Sequence, residues 1–107
     1  MNYLGGYTTS YTMPFPLPQK NVPFTIYYKQ GCPYSMMALE TLKNLKEKNN
    51  KHFLFNAYDC TDRRDDFMKL GQKYGHKTFP MIFTFTEFIG GNDELQKLLK
   101  NLKKKNN

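Results

Sequence analysis

A strand that runs directly into a helix is predicted by residues 25–39, which read TIYYKQGCPYSMMAL. The first four residues are apolar and prone to β-structure, and a helical pattern begins at Met36. Cys32 therefore lies over the N-terminus of the helix, where unpaired backbone N–H groups and the helix dipole favour a negative charge. The pKa of a thiol in such a place can fall from about 8.5 to roughly 3.5–7.5. This position predicts a reactive Cys32 thiolate, with a buried structural cysteine as the alternative.

The segment after Cys32 lacks the second thiol of a Cys-X-X-Cys redox site. Pro33 suits the start of a helix, because the N–H group that proline lacks would have no partner there. Position 35 is serine, so thiol exchange is predicted to proceed through one cysteine. Cys60 follows a predicted strand, and we interpret it as a small structural residue. The alternatives for Cys60 are attack on a mixed disulfide at Cys32 and linkage of two chains.

The composition is typical of one small domain in a reducing compartment. At 107 residues, 39% of them hydrophobic, the chain can build one core. It shows neither an apolar run of roughly 18 residues nor a basic and apolar leader, so we expect no membrane partner and no signal peptide. Two cysteines do not form a disulfide framework, which favours a cytoplasmic location. The net charge is +7, but only two of the 16 basic residues are arginines, which argues against nucleic-acid binding.

The chain divides into an N-terminal arm, residues 1–20, and a domain, residues 21–107. The arm is rich in tyrosine and glycine and has three prolines in five residues, so we expect it to be flexible or draped over the surface. The alternative is that its tyrosines and Met13, Phe15 and Leu17 dock on a partner or on the domain itself. The domain predicts the order β-α-β-α-β-β-α, with strands at 22–29, 52–58, 81–85 and 88–89 and helices at 36–48, 62–74 and from 92 or 93 onward. Asp62 is the expected N-cap of the second helix and Gly75 its stop, while Asn92 or Asp93 caps the third.

This order predicts an α/β fold with a mixed four-stranded sheet and helices on both faces. The β-α-β start implies a right-handed crossover between parallel strands, and the late hairpin adds antiparallel strands. Ligands of such folds bind at the carboxyl ends of strands, where Cys32 lies.

Two further motifs are candidates for ligand binding. In Thr78-Phe79-Pro80 the proline marks a strand start, or a cis bond that leaves the backbone of Phe79 free for an extended ligand. In residues 90–94, GGNDE, two glycines lead into a helix N-terminus, either as an ordinary cap or as an anion site.

Three motifs in this order and spacing resemble the glutaredoxin family. Cys-Pro-Tyr-Ser at 32–35 resembles the family's Cys-Pro-Tyr-Cys site with its second cysteine replaced, and Lys29 matches a family lysine. Thr78-Phe79-Pro80 is similar to the family's Thr-Val-Pro, and residues 88–91 reproduce its Phe-Ile-Gly-Gly. The resemblance covers roughly residues 22–104 and implies a thioredoxin-like fold that binds glutathione.

The resemblance implies that Cys32 is the catalytic nucleophile and receives the glutathionyl group. Lys29 would help hold the thiolate and, with Lys77, bind the glycyl carboxylate of glutathione, and Tyr34 would line the groove. The backbone of Phe79, before a cis-proline, would pair with the cysteinyl residue. The implied glutathione-binding residues are Lys29, Tyr34, Lys77, Thr78, Phe79, Pro80, Gly91, Asn92, Asp93 and Glu94.

The γ-glutamyl end of glutathione would lie at the third motif, where the chain departs from the family. The N–H groups of Asp93 and Glu94 would hold the γ-glutamyl carboxylate, while an acidic side chain there takes the amine. Glu94 stands where the family usually has aspartate, and Phe67 stands where many members have a glutamine that contacts the glycyl end. The hairpin also lacks the family's common Asn-Gly turn.

The resemblance implies a glutathione-dependent thiol–disulfide oxidoreductase that removes glutathione from proteins by a monothiol mechanism. Its expected partners are glutathione and glutathionylated proteins, and we expect a monomer. The alternative is a dimer in which two Cys32 thiolates and two glutathiones hold a [2Fe–2S] cluster. Neither His52 nor His76 has spacing that suggests a metal site, so both are expected at the surface.

Overall fold

The computed structural model describes residues 13–49 and 53–105, which form four strands and three helices. The predicted order β-α-β-α-β-β-α is confirmed. The elements are β1 Phe24–Tyr28, α1 Pro33–Asn49, β2 Phe55–Asp59, α2 Arg64–Gln72, β3 Met81–Thr84, β4 Glu87–Gly90 and α3 Asn92–Lys105. Within this part of the chain no helix is both long and apolar enough to cross a membrane.

The strands form one mixed sheet in the order β2-β1-β3-β4. β1 and β2 are parallel, while β3 is antiparallel to both β1 and β4, as the sequence predicts. Tyr27 of β1 pairs with Met81, and Ile82 pairs with Gly90 of β4. One end of the sheet therefore contains the end of β1, the start of β3 and the end of β4. This arrangement brings the three sequence motifs together.

Helices cover both faces of the sheet, as predicted. On one face α1 and α3 pack against β1 and β3 through buried residues that include Ile26, Leu42 and Leu95. On the other face α2 packs through Phe67 and Leu70 in an aromatic-rich cluster. The alternation of apolar side chains along β1 requires both layers, because neighbouring strand residues point to opposite faces.

The N-terminal segment packs on the α2 face of the sheet. Phe15 is buried, with its ring centroid 5.0 Å from that of Tyr27. The Tyr27 hydroxyl donates a hydrogen bond of 2.7 Å to the carbonyl of Pro16. At Phe15 and Pro16 the arm docks on the domain itself, which is the alternative to flexibility that the sequence left open, because an aromatic side chain fills a place in the core. Residues 1–12 of the predicted arm lie outside the described residues.

Helix boundaries differ from the sequence prediction where backbone hydrogen bonds decide them. Helix α1 begins at Pro33 rather than Met36, because the Met36 N–H already donates to the Cys32 carbonyl at 2.9 Å. Helix α2 begins at Arg64 after Arg63, and no side chain caps it, so the prediction of Asp62 as N-cap is wrong. The helix ends at Gln72 rather than residue 74, and Gly75 lies in the following turn with φ 67°.

Strand boundaries differ by one to three residues. β2 begins at Phe55, and the predicted start, His52, lies outside the described residues. β3 ends at Thr84, and β4 begins at Glu87, so the turn consists of Phe85 and Thr86. Phe85 has φ 52°, a left-handed conformation that is uncommon for a bulky side chain.

Candidate active site

Cys32 lies where two of the three motifs converge. Its carbonyl accepts the N–H of Met36, so Cys32 is the N-cap of α1, and its thiol is half-buried. Its sulfur lies 3.9 Å from the carbonyl oxygen of Phe79. The Phe79–Pro80 bond is cis, which is one of the two alternatives that the sequence left open for that motif. Strand pairing alone thus brings residues 47 positions apart in the sequence into contact.

The pKa of the Cys32 thiol is lowered from its ordinary value. Partial burial acts to raise this pKa, but hydrogen bonds from the backbone N–H and the hydroxyl of Ser35 act against it. The backbone N–H of Tyr34 and the charge of Lys29 lower it further. These are the N–H groups that a helix leaves unpaired in its first turn, as the strand-to-helix position predicts. Cys32 is therefore a thiolate more often than an ordinary cysteine is.

Ser35 has a structural role that its sequence position did not reveal. Its side chain is fully buried, and its oxygen accepts the backbone N–H of Lys29 at 3.2 Å. The same hydroxyl hydrogen-bonds the Cys32 sulfur, which stabilises the thiolate. Ser35 therefore connects the backbone N–H of Lys29 to the sulfur of Cys32.

A polar network holds the loop that precedes Cys32. The Gln30 backbone N–H donates to Thr61 Oγ1 at 2.9 Å, and its side-chain amide donates to Asp59 Oδ2 at 2.7 Å. The Thr61 backbone N–H donates to Asp59 Oδ1 at 2.9 Å. Hydrogen bonds from Thr61, followed by that from Gln30, lower the pKa of Asp59. Sequence reasoning missed this network, because Gln30 and Asp59 lie 29 residues apart in the sequence.

Phe79 and Phe67 form an aromatic pair beside the cis bond. Their ring centroids lie 3.8 Å apart at an interplanar angle of 22°, and Phe67 is fully buried. A buried ring cannot replace the hydrogen bonds of the glutamine that many family members have here. Lys29 and Lys77, the cations that the resemblance implies for the glycyl carboxylate, are both exposed.

His76 contacts the backbone at Pro80 and does not lie simply at the surface, which corrects the sequence prediction. It is half-buried, and its Nε2 lies 3.0 Å from the carbonyl oxygen of Pro80, to which it donates. Its ring packs edge-on against Phe88 with centroids 5.2 Å apart. A Cβ atom at Gly71 would lie only 2.1 Å from the His76 carbonyl oxygen. The glycine inside α2 therefore allows the backbone of His76 to pass close to the helix.

The third motif is capped by its own carboxylate. The Leu95 N–H donates to the Gly91 carbonyl at 3.1 Å, so Gly91 is the N-cap of α3, which corrects the prediction of Asn92 or Asp93. Glu94 Oε1 accepts the Gly91 N–H at 2.8 Å, as the N3 residue of a capping box does. A Cβ atom at Gly91 would lie 3.4 Å from the Pro80 carbonyl oxygen, so the glycine allows close approach of the second motif.

Most of the other predicted binding residues lie near the solvent. Asp93 and Tyr34 are exposed, and so is Thr78. Asn92 is buried, and its side-chain oxygen accepts a hydrogen bond of 3.2 Å from Gln96. The side chain of Asn92 therefore supports α3, and its predicted role in glutathione binding can fall only to its backbone.

Cys60 has the opposite environment from Cys32. It is fully buried in the α2-side core, and its sulfur lies 3.7 Å from the Tyr58 carbonyl. Burial, followed by the charge of Asp59, raises the pKa of Cys60 to about 12. This supports the structural interpretation of Cys60.

Comparison with known proteins agrees with the geometry. Residues 24–89 match the family model described as glutaredoxin. Glutaredoxin-1 of Saccharomyces cerevisiae is 37% identical over 71 residues, which are 65% of this chain and 64% of the yeast protein. Monothiol glutaredoxin-S6 of rice, Oryza sativa subsp. japonica, is 33% identical over 86 residues, covering 72% of this chain and 63% of that protein. The chain thus spans slightly less than two thirds of either relative.

Solved structures show the same fold. The solution structure of glutaredoxin from Brucella melitensis has a TM-score of 0.57 and 31% identity, and the match covers 78% of this chain and 85% of that one. The structure of the Escherichia coli glutaredoxin has a TM-score of 0.57 and 28% identity over 73% of this chain and 93% of that one. The expected thioredoxin-like fold is confirmed, and the chain belongs to the glutaredoxin family.

Proposed function

We propose that this protein is a glutathione-dependent thiol–disulfide oxidoreductase that removes glutathione from glutathionylated proteins through Cys32 alone. The observation that carries the proposal is the Cys32 thiol at the N-cap of α1, with a lowered pKa and 3.9 Å from the Phe79 carbonyl. Membership of the glutaredoxin family supports thiol–disulfide exchange as the reaction class.

The reaction needs two exchanges at one sulfur. The Cys32 thiolate attacks the glutathione sulfur of a protein–glutathione disulfide, that disulfide breaks, and the protein leaves as a thiolate that takes a proton from water. A second glutathione thiolate then attacks the glutathione sulfur on Cys32. Oxidised glutathione leaves and the Cys32 thiolate is restored, so the mixed disulfide is reduced at the expense of one free glutathione thiol, and the other half of the oxidised glutathione comes from the substrate.

The residues at positions 35 and 60, where a second thiol could resolve the mixed disulfide, support a monothiol mechanism. Position 35 carries a hydroxyl, which cannot form a disulfide with Cys32. Cys60 is buried, and its pKa of about 12 keeps it protonated at neutral pH. The rice relative that carries the word monothiol in its name is consistent with this mechanism.

Glutathione is proposed to lie along the three converging motifs. Lys29 and Lys77 supply cations for the glycyl carboxylate, and the backbone of Phe79 pairs with the cysteinyl residue. The first-turn N–H groups of α3 hold the γ-glutamyl carboxylate, as helix N-termini commonly hold anions. We assign the γ-glutamyl amine to Asp93, because Glu94 Oε1 already accepts the Gly91 N–H. Glutathione as co-substrate is typical of the family.

The test is a glutathione-coupled assay with a glutathionylated peptide. Cys32→Ser should lose at least about 1000-fold of the turnover, while Cys60→Ser should keep it within about twofold. Ser35→Cys tests the monothiol scheme, because it restores the family's second thiol. Turnover that survives Cys32→Ser while Ser35→Cys raises it would contradict the scheme.

The [2Fe–2S] dimer stays a prediction. In the described part of the chain no three His, Cys, Asp or Glu residues form a group that could hold a metal ion, so a cluster would need Cys32 from two chains together with glutathione. Visible absorption after anaerobic purification with glutathione, with Cys32→Ser as control, tests this alternative. The monomeric state and the cytoplasmic location also stay predictions.

A further inference from the structure

Exposed apolar side chains are concentrated beside Cys32. Among the described residues seven large hydrophobic side chains are exposed, and three of them lie within four positions of the chain. These are Tyr34, Met36 and Met37, with 58%, 37% and 53% of their surfaces exposed. We call the side chains of Met36 and Met37 the methionine face, since Tyr34 is assigned to the glutathione groove. The four others are Leu17, Leu54, Phe85 and Leu102, which are well separated in the sequence.

The helix geometry places the methionine face on the open side of the reactive sulfur. Ser35, Ala38 and Leu42 are buried, so this side of α1 faces the sheet. Met36 comes four residues after the N-cap Cys32 and therefore lies about one turn along the same helix, on the order of 6 Å away. The first charged residue of α1 is Glu40, so the helix surface next to the sulfur carries no side-chain charge.

We propose that the methionine face binds apolar residues that flank the glutathionylated cysteine of the protein substrate. The inference rests on the proposed function, because it concerns the protein half of the mixed disulfide. Glutathione is assigned to the groove along Phe79 and α3, so the protein half approaches from the remaining side of Cys32. Apolar side chains that neighbour the disulfide then meet Met36 and Met37.

Methionine suits a surface that accepts more than one apolar sequence. Its unbranched, polarisable side chain adapts to partners of different shape, and methionine-rich surfaces are common at promiscuous binding sites. Burial of one such side chain contributes roughly as much as burial of a leucine. The preferred substrate class is therefore a glutathionylated cysteine with leucine, phenylalanine or similar residues beside it.

Two glutathionylated peptides that differ only at the cysteine's neighbours test the proposal. One carries leucine and phenylalanine there, and the other carries serine. We expect the wild type to show a kcat/KM about tenfold higher for the apolar peptide. The double variant Met36→Gln, Met37→Gln should reduce this preference to about twofold, since glutamine has similar length and helix propensity but a polar end. Leu54→Gln is the control, because it removes an equally exposed apolar side chain near the start of β2, and it should keep the full preference.

The mixed disulfide of glutathione and 2-mercaptoethanol separates this inference from the proposed function. It has no apolar flank, so all three proteins should turn it over at rates within about twofold. Equal kcat/KM values for the two peptides, or a double variant that keeps the tenfold preference, would overturn the inference while turnover of the small disulfide upholds the proposed function. A wild type that turns over none of the three compounds would overturn both.

Discussion

Cys32 and Cys60 follow the ends of neighbouring parallel strands, β1 and β2, yet their thiols have opposite properties. Cys32 caps a helix, is half-buried, and has a lowered pKa because hydrogen bonds and a cation outweigh its partial burial. Cys60 is fully buried, and burial raises its pKa to about 12. The Cys60 N–H even donates to the Tyr28 carbonyl at 2.7 Å, so its backbone continues the sheet. In this protein the helix terminus, and not the end of a parallel strand, lowers the pKa of a cysteine thiol.

The largest expected effect is the difference in alkylation between the two thiols. At pH 7 a thiol with a pKa of about 12 is ionised to only about one part in 100,000. Iodoacetamide should therefore label Cys32 more than about 1000-fold faster than Cys60 in the folded protein, as measured by peptide mass spectrometry. In denaturant the two rates should become similar, which serves as the control. Comparable rates in the folded protein would contradict the assigned environments.

Stability at alkaline pH tests Cys60 directly. Its thiol holds a proton more tightly in the folded state than in the unfolded chain, where the pKa is about 8.5. The stabilisation is therefore complete below about pH 8.5 and is lost as the pH rises toward 12. The free energy of unfolding should fall less steeply with pH in Cys60→Ala than in the wild type, by up to about 1.4 kcal/mol per pH unit.

Urea unfolding at about pH 9, 10 and 11 measures this slope. Tyr27 also has a raised pKa, chiefly through burial, and Cys60→Ala removes only one of the smaller causes of that shift, the charge of Cys60. Cys32→Ser is the matched control, because the lowered pKa of Cys32 places its titration below this range. A Cys60→Ala slope equal to that of the wild type would show that the thiol of Cys60 ionises in the folded protein as it does in the unfolded chain.

Removal of one hydroxyl should make Cys32 more like an ordinary cysteine. In Ser35→Ala the sulfur loses a hydrogen bond that favours the thiolate, so the pKa of Cys32 should rise. The pH at which alkylation is half-maximal moves upward, and thiol exchange at pH 7 should slow about three- to tenfold. Thr41→Ala removes a hydroxyl from the same helix, where it bonds the Met37 carbonyl at 2.9 Å, and it should leave the profile unchanged. If Ser35→Ala left the pH profile of alkylation unchanged, Ser35 would have no part in stabilising the Cys32 thiolate.

Sequence patterns predicted the order of elements and the placement of Cys32, because both depend on local periodicity and on the end of a helix. The cis bond before Pro80 was also predicted, through a motif. The misses have two causes. The N-cap of α3 was misplaced locally, because the Glu94 carboxylate accepts the N–H of Gly91 three positions earlier. Phe15 was missed because it fills a place in the core through contact with the distant residue Tyr27.

The Gln30 network was missed because the Asp59 carboxylate lies 29 positions away in the sequence. The His76 contact is local, since Pro80 lies four positions away, but His76 has no sequence signature for it. Gly71 lies inside α2, where a Cβ atom would collide with the backbone of His76. The sequence alone did not connect these two residues.

The smallest expected effect comes from Asp59, which interacts with the surroundings of both cysteines. Its charge raises the pKa of Cys60, and its Oδ2 holds the Gln30 amide in the loop before Cys32. Asp59→Asn removes the charge, so the pKa of Cys60 should fall but stay above its ordinary value, because burial is the larger cause. The alkaline loss of stability in urea unfolding still begins at about pH 8.5, but it ends at a lower pH and is smaller in total.

The same variant should slow thiol exchange at Cys32 only about twofold. Asparagine keeps one oxygen for the Thr61 N–H and loses one acceptor for Gln30, so a single solvent-exposed hydrogen bond is at stake. Gln30→Ala removes that hydrogen bond while the Asp59 charge remains, and it should slow exchange equally without moving the alkaline transition. A loss beyond about tenfold in Asp59→Asn alone would mean that its charge acts on Cys32 as well, and the two cysteines would then share one electrostatic environment.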